Sequence, residues 1–362
     1  MKGYYKYLGL IFFVVLLLGC TKSAISDESG EIDINTDRSY IRFDSGISTR
    51  GALFLKDYLD ANFNVLGYQY PGTWEAASSR ATPNVFQSTP QLVTHSDGIY
   101  TYSPTKAWTG NTYSFFGYYP SDSNYIKIFD DGTVKEGIPY ITYTVHPSDL
   151  IDIMTASVIN TNIDVSPDVR LNMRHRLSAI DIGARNYYVQ KITNGETEES
   201  RIVTIEITGL EMQVKTYTSA KIYLDGSATI GADSQTLNYE IVASESATDI
   251  EPNSTDDTTL RLLTTDTGEN ATSLILVPQS NFLEGTLSLK YKKKYKNDNE
   301  EYVYIGNEES VNVDLKTLER SLVEGRRYTI EFTFTSDAVS INISVVDEWD
   351  EINKDDLKHE FE

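Results

Sequence analysis

Few side chains in this sequence are spaced for catalysis or metal binding. The chain has four histidines, and none lies in an HxH or HExxH pattern, the spacing that brings two imidazoles to one metal ion. Acidic doublets at Asp130-Asp131 and Asp256-Asp257 could supply the two carboxylates of a glycoside hydrolase or ligands for Ca²⁺. The first lies in a turn signal and the second in a polar loop, so we expect solvated turns. We therefore predict no enzyme: no catalytic residue, no metal site and no cofactor.

Cys20, the one cysteine of the chain, follows an apolar leader. Two lysines precede an apolar run over residues 8–18, which is too short to span a membrane as a mature helix. Leu-Leu-Gly-Cys at 17–20 resembles a bacterial lipobox, in which the cysteine thiol is diacylated, the chain is cut before it and the new amine is acylated. The alternative is an ordinary secretory signal with a chance cysteine. We favour a signal peptide over residues 1–19 and a membrane anchor on Cys20.

The mature chain is acidic, which limits the classes of partner that it can bind. The full sequence has a formal net charge of −22, and residues 20–37 form an acidic, polar stretch that predicts a tether. Nucleic acid is an improbable partner because phosphate binding needs clustered Lys and Arg. The basic run at 291–295 is isolated, and we interpret it as charges that protect a strand from aggregation. Acylation of Cys20 would leave no thiol for disulfides or thiolate catalysis.

Most periodic segments alternate apolar and polar residues, which is typical of half-buried strands. Residues 169–177 are the longest example, and His175 lies on their apolar face, where we expect a core histidine. The phase slips after Leu177, which indicates a β-bulge or burial on both faces. Hairpin turn signals separate the runs at Asp97-Gly98, Asp131-Gly132, Asn194-Gly195 and Asp225-Gly226. The sequence predicts an all-β protein built from antiparallel sandwiches.

A polar, proline-containing segment near residues 162–167 marks the predicted domain joint. It gives an N-terminal β-sandwich over residues 38–164, a C-terminal β-sandwich over 165–349 and a charged tail over 350–362. An aromatic cluster between Trp108 and Tyr119 could stack on sugar, but such clusters usually form sandwich cores.

Several segments, taken in order behind the leader, resemble the fimbrillin-like (Mfa-like) lipoproteins of Bacteroidia, which are components of type V pili. The matching segments are Tyr40–Phe43, Thr49-Arg50, Trp108, Tyr113–Pro120, Ile138–Tyr143, Asp149-Leu150, Leu171–Ile180, Leu274–Gln279, Glu324–Tyr328 and Val345–Trp349. Each motif alone is weak, but together they cover nearly the whole mature chain.

The resemblance implies two tandem transthyretin-like β-sandwich domains and assembly by strand exchange. In such pili an arginine-specific protease removes the first strand of a lipidated precursor, and another subunit donates a strand to the open groove. The matching positions here are Ile41 and Phe43 in the removable strand and Arg50-Gly51 as the scissile bond. Arg38 and Arg42 are competing cleavage positions, and an uncleaved surface arginine is the alternative for Arg50.

The tail departs from the pattern of a shaft subunit, because residues 350–362 lack the alternating apolar positions of a donor strand. We expect a non-enzymatic pilus subunit at the outer membrane or cell surface. A tip or accessory role is favoured over that of an anchor, and its ligand would lie on a host or bacterial surface. Two other classes stay open: an outer-membrane lipoprotein that binds glycans through an exposed row of Trp or Tyr, and a secreted hydrolase with two facing carboxylates.

Overall fold

The regular secondary structure of the described residues is almost entirely β-strand, which confirms the all-β prediction. In this computed structural model the described residues are 40–47, 59, 61–133, 135–147, 149–194, 197–243, 245–253, 259–264, 273–336 and 338–346. Helical structure within these ranges is limited to one short helix, α1 (Trp74–Ala77), and a 3₁₀ turn at Leu315–Leu318.

The first half of the described chain contains β1 (Arg42–Ile47), β2 (Phe63–Tyr70), β3 (Gln91–Ser96), β4 (Ile99–Thr101), β5 (Thr112–Tyr119), β6 (Ile126–Ile128), β7 (Tyr140–Thr144), β8 (Met154–Thr161), β9 (Asp168–His175) and β10 (Ser178–Asn186). The second half contains β11 (Val189–Asn194), β12 (Thr197–Ile202), β13 (Thr204–Tyr223), β14 (Thr229–Val242), β15 (Thr248–Ile250), β16 (Arg261–Leu262), β17 (Leu274–Leu276), β18 (Gln279–Phe282), β19 (Glu284–Lys296), β20 (Tyr302–Asp314), β21 (Ser321–Leu322), β22 (Arg327–Phe334) and β23 (Val339–Val346).

Three larger sheets organise these strands. Sheet I has the order β1-β9-β8-β5-β2-β3-β4. Sheet II has the order β16-β10-β22-β23, with β17 also paired to β10. Sheet III has the order β20-β19-β13-β7-β6, with β14 and β15 also paired to β13. The pairs β11–β12 and β18–β21 stand apart from them.

Two strand pairs are parallel in these otherwise antiparallel sheets. β1 runs parallel to β9, and β10 runs parallel to β22. The predicted antiparallel sandwiches thus contain two parallel pairs that the sequence did not indicate. A parallel pair needs a crossover connection rather than a tight hairpin. β1 is therefore joined to its partner through a long stretch of chain and not through a turn.

The apolar side chains form three cores. The aromatic core lies on one face of sheet I and includes Ile41, Phe43, Phe63, Phe115 and Leu171. The central core lies between the other face of sheet I and sheet III, and it includes Leu66, Tyr68, Phe116, Ile141 and Ile222. The distal core lies between sheets II and III and includes Ile182, Val214, Leu287, Ile330 and Phe332.

The long strand β13 joins two of these cores. Val214 and other residues of its first part are buried in the distal core, whereas Ala220 and Ile222 are buried in the central core. Because one 20-residue strand contributes to both, sheet III is continuous across them. The aromatic core has no residue from β13 and stands on sheet I alone.

The segment predicted as the domain joint, residues 162–167, connects β8 and β9, which are neighbours in sheet I. The chain passes from sheet I to sheet II at Arg176-Leu177. There the alternating burial of β9 gives way to burial of all nine residues of β10. The sequence offered two explanations for the change of phase after Leu177, a β-bulge or burial on both faces, and the burial of β10 agrees with the second. The division into domains 38–164 and 165–349 stays a prediction.

Gly285, at the start of β19, is a position where the fold requires glycine. Its φ is +144°, and a Cβ there would lie 1.9 Å from the carbonyl oxygen of Gln213 on β13. We expect Gly285→Ala to lower the free energy of unfolding by roughly 2–5 kcal/mol, since it adds both backbone strain and overlap with β13. Chemical denaturation measures this change.

Gly306→Ala is the matched control. Gly306 also has a positive φ, +70°, but nothing lies within 4 Å of a Cβ placed there. We expect it to cost about 1–2 kcal/mol, the cost of a left-handed conformation alone. Equal losses in the two variants would contradict the proposed overlap with β13.

Candidate functional site: the first strand and its groove

The predicted site residues divide between described and undescribed parts of the chain. Cys20, Arg50 and Gly51 lie outside the described residues, so lipidation and cleavage there stay predictions. Ile41 and Phe43, the predicted removable strand, are described: Phe43 lies in β1 and Ile41 directly precedes it. The candidate site is therefore β1 together with the surface that buries it.

β1 is the terminal strand of sheet I. It pairs with β9 over residues 42–47, and in the described ranges no other strand pairs with it. Non-strand segments contact its other edge: the amide of Ile41 donates to the carbonyl of Lys106 at 2.8 Å, and the amide of Leu59 donates to the carbonyl of Ser45 at 3.3 Å. Loss of β1 would thus leave the remaining strands of sheet I paired with one another.

Phe43 anchors β1 in the aromatic core. Its side chain is 6% exposed. Its ring centroid lies 5.4 Å from that of Tyr102, 5.5 Å from Phe115, 6.1 Å from Phe86 and 6.5 Å from Phe63. Most of these contacts have the edge-to-face geometry that aromatic pairs prefer. We call the surface formed by these four rings and β9 the first-strand groove.

Two further residues of the segment point into this groove. Ile41 is buried, and its carbonyl accepts a hydrogen bond from the Tyr102 hydroxyl at 2.9 Å. Ser45 is fully buried, and its hydroxyl donates to the carbonyl of Leu171 at 3.2 Å. The Tyr100 hydroxyl lies 3.5 Å from the carbonyl of Ser45. Because Tyr100 belongs to β4, at the opposite end of sheet I, the sheet curls until its two end strands approach each other.

Burial fixes the protonation state of the Tyr102 hydroxyl. Desolvation raises the pKa of Tyr102 to about 12, although a hydrogen bond from the Lys106 amide acts in the opposite direction. The phenol therefore stays neutral, and can donate to the Ile41 carbonyl, throughout the physiological pH range.

The alternate side chains of β1 face away from the core and carry charge. Arg42 pairs with Asp168 on β9. Asp44 lies 3.8 Å from Arg170, and both of these side chains are more than half exposed. Exposed pairs contribute little to stability, typically about 0.2–1 kcal/mol each. Burial of the apolar face therefore stabilises the position of β1, whereas the charged face forms ion pairs with β9 in the observed register.

The other candidate residues for chemistry have structural partners. His175 Nδ1 lies 2.8 Å from a carboxylate oxygen of Asp152. A hydrogen bond from the Tyr140 hydroxyl lowers the pKa of Asp130, and a hydrogen bond from the Thr133 amide lowers that of Asp131. Asp257 and its neighbour Asp256 lie outside the described residues. No group of three His, Cys, Asp or Glu side chains in the described ranges is placed to hold a metal ion.

The aromatic cluster seen in the sequence contributes to the cores. Trp108, Tyr113 and Phe115 are buried in the aromatic core, and Phe116 and Tyr118 are buried in the central core. They are inside the protein, as the sequence interpretation expected, and do not form a platform for sugar.

The interpretation of the basic run at 291–295 is wrong. These residues lie in β19, which is paired on both sides and is not an edge strand. The Lys294 ammonium is buried and contacts Glu206 at 2.8 Å and Asp249 at 2.7 Å. Burial alone would lower the pKa of Lys294, but the hydrogen bonds to Asp249 and Glu206 outweigh it and raise the pKa. The charge forms part of a buried network and does not protect a strand edge.

Sequence reasoning missed Ser45 and the two tyrosines that hold β1. Ile41, Phe43 and Ser45 are spaced two apart, and Tyr100 and Tyr102 are also two apart, so the period was present. The serine at position 45 weakened the apolar alternation of residues 41–45, because a polar residue there does not indicate a buried face. The approach of β4 to β1 depends on the curl of sheet I, which no local pattern encodes.

Comparison with known proteins decides the family. A model of the fimbrillin-like family matches residues 60–349. This chain belongs to the fimbrillin-like family. A fimbrial protein from Bacteroides vulgatus has a similar solved structure, with a TM-score of 0.59 and 18% sequence identity over 86% of this chain and 99% of that one. No curated protein is similar enough in sequence to count as a match.

Two solved structures are more distant. A putative cell adhesion protein from Bacteroides uniformis has a TM-score of 0.48 and 14% identity over 86% of this chain and 100% of its own. The fimbrial anchor protein Mfa2 from Porphyromonas gingivalis has a TM-score of 0.38 and 14% identity over 86% of this chain and 97% of its own.

Family membership confirms the resemblance and the prediction that the chain is not an enzyme. A fimbrillin-like protein is a pilus or adhesin subunit of the cell surface that assembles with other subunits. Within the described residues, no helix is both long enough and apolar enough to cross a membrane.

The burial of Phe43 generates a stability prediction. Phe43→Ala removes a ring from contact with four others, and we expect it to lower the free energy of unfolding by roughly 3–5 kcal/mol. Asp44→Ala, one position away on the exposed face, is the control and should cost about 0.5 kcal/mol or less. Urea denaturation of both variants checks this. Similar small losses would mean that β1 is not anchored through Phe43.

Proposed function

We propose that this protein is a lipid-anchored precursor of a pilus subunit whose first strand is removed and replaced by a strand from another subunit. In this proposal Cys20 carries the lipid, residues 20–37 are the tether, and the chain is exported to the outer membrane surface. Cleavage after Arg50 releases the segment that contains Ile41 and Phe43.

The burial of Phe43 in a terminal strand is the observation that carries the proposal. Departure of β1 would leave the hydrogen-bonding groups of β9 unpaired and would open an apolar slot lined by aromatic rings. Addition of an extended strand satisfies both at once, because it supplies backbone partners and apolar side chains at alternate positions. Water could form hydrogen bonds with the exposed backbone groups, but the contact of the apolar slot with water would still be unfavourable.

The position of β1 also supports Arg50 over its competitors. Cleavage after Arg38 or after Arg42 would leave Phe43 attached to the body of the protein. Arg42 lies inside a paired strand and is held by Asp168. Arg50 follows the last residue of β1, Ile47, by three positions, so cleavage there frees the whole strand.

The tail supports a tip or accessory role. Residues 350–362 read DEINKDDLKHEFE and contain no alternating apolar face. A subunit with such a segment could accept a strand without donating residues 350–362. An anchor subunit, which would keep its lipid and its first strand, is the closest alternative within the pilus. The aromatic cluster that contains Trp108 and Tyr118 is buried and gives the glycan-binding class no platform, whereas Tyr302 and Tyr304 are exposed on β20.

Processing at Arg50 can be tested on the protein made by its own cells. Mass spectrometry of the assembled surface form should give an N-terminus at Gly51. Arg50→Lys should keep β1 and the triacylated Cys20 and stay in the membrane fraction, because an arginine-specific protease does not cut after lysine. Arg42→Lys, which keeps the positive charge beside Asp168, should be processed normally.

The alternatives give different masses. An assembled form that retains triacylated Cys20 in the unmodified protein would contradict cleavage and favour an anchor. A new N-terminus at Phe43 or Ser39 would contradict the assignment of Arg50.

A further inference from the structure

We infer that the first-strand groove selects its occupant by a five-residue pattern: a large aliphatic residue, a basic residue, an aromatic residue, an acidic residue and a small residue, running parallel to β9. This inference rests on the proposed function and names the chemistry of the partner strand. The template is the strand that fills the groove in this structure, residues 41–45.

The three inward positions differ in what they accept. The first holds Ile41, whose side chain is 1% exposed and whose own carbonyl accepts a hydrogen bond from the Tyr102 hydroxyl. The second holds Phe43 among aromatic rings in a closely packed pocket. The third holds Ser45, which is fully buried and bonded to the backbone of Leu171. A large side chain at this third position would have to displace packed atoms, so the position favours a small residue.

The two outward positions carry complementary charge. In the parallel register, position 42 is opposite Asp168 and position 44 is opposite Arg170. A strand with the charges exchanged would place like charges opposite each other at both positions, which is unfavourable in a sheet. The apolar pockets therefore set affinity, and the two charges on β9 set register and direction.

The partner is a strand of another protein and not residues 350–362 of a second copy of this chain. In residues 350–362 no aliphatic residue is followed two positions later by an aromatic residue and then by a small one. The tail is also strongly charged, whereas the three inward positions are buried.

A first experiment measures the preference of the groove in the intact chain, where the strand is present in any case. We expect Ser45→Phe to lower the midpoint of urea unfolding, whereas Asp44→Ala at the exposed neighbouring position should leave it almost unchanged. The exchange Arg42→Asp/Asp44→Arg should lower the midpoint, and adding Asp168→Arg/Arg170→Asp should restore most of the loss. Tolerance of Ser45→Phe together with no restoration would overturn the inference.

A second experiment measures exchange of the strand. The full chain is cut with an arginine-specific protease, the protease is inactivated, and the chain is incubated with a fluorescent peptide, SYIRFDSGI, which has the sequence of residues 39–47. We expect this peptide to displace the resident strand. The same peptide with Phe43→Ala or Ser45→Phe should bind on the order of 100-fold more weakly. The charge-exchanged peptide should bind about tenfold more weakly and recover on the Asp168→Arg/Arg170→Asp protein.

Disulfide trapping tests the direction of the bound strand, with Cys20→Ser in the background. A peptide with Arg42→Cys should cross-link to Asp168→Cys, and a peptide with Asp44→Cys should cross-link to Arg170→Cys. The crossed combinations should not react, because they are opposite only in an antiparallel strand. Preferential reaction of the crossed combinations would overturn the parallel assignment.

The two experiments separate the inference from the proposed function. If SYIRFDSGI exchanges and the altered peptides bind equally well, strand exchange stands and the selection rule is wrong. If the unfolding midpoints of the intact chain change as expected but no peptide exchanges, SYIRFDSGI included, then β1 is not replaceable by another strand. The proposed function then fails, and the claim about a partner strand fails with it.

Discussion

Closure of the aromatic core depends on the burial of Phe43, which lies in a strand that is hydrogen-bonded to a neighbouring strand on one side only. Two requirements meet in β1: β9 needs a backbone partner along its outer edge, and the aromatic core needs side chains that close it. A single short strand meets both. Its departure would create unpaired backbone groups and an apolar slot in the same place, and an extended strand of another chain is the replacement that corrects both.

Two of the three cores are built without β1. The central and distal cores share the long strand β13, which gives sheet III its continuity. Neither core contains a residue of β1. The aromatic core, on the opposite face of sheet I, is the one that contains Ile41 and Phe43. Changes at the first strand are therefore concentrated in one core, while the other two can keep the body folded.

Much of this fold follows from local sequence patterns. The alternation in residues 169–173 predicted β9, and these residues are buried at every second position. Asp97 and Gly98 both have positive φ, 51° and 78°, and they form the turn between β3 and β4 that this dipeptide predicts. Period two and turn chemistry are local properties, so one sequence is enough to show them.

Other features depend on residues that are far apart in the chain. Period two does not distinguish a parallel from an antiparallel partner, so the direction of β1 against β9 could not be predicted. The partners of Lys294, Glu206 and Asp249, belong to other strands, and without them the lysine resembled an exposed edge charge. At the candidate site, Ile41 and Phe43 were found through a family resemblance, whereas Ser45 and its tyrosine neighbours required the structure.

Native-state hydrogen exchange followed by NMR tests the central claim, that β1 is a separable part of a body that stays folded. We predict that the amides of β1 exchange through a local opening whose free energy is well below that of global unfolding, while amides of β13 exchange only on global unfolding. Phe43→Ala should lower the free energy of the β1 opening and that of global unfolding by similar amounts, because the contacts of Phe43 are lost in both. Exchange of β1 and β13 amides with the same free energy would show that the first strand leaves only when the whole protein unfolds, and would contradict the account.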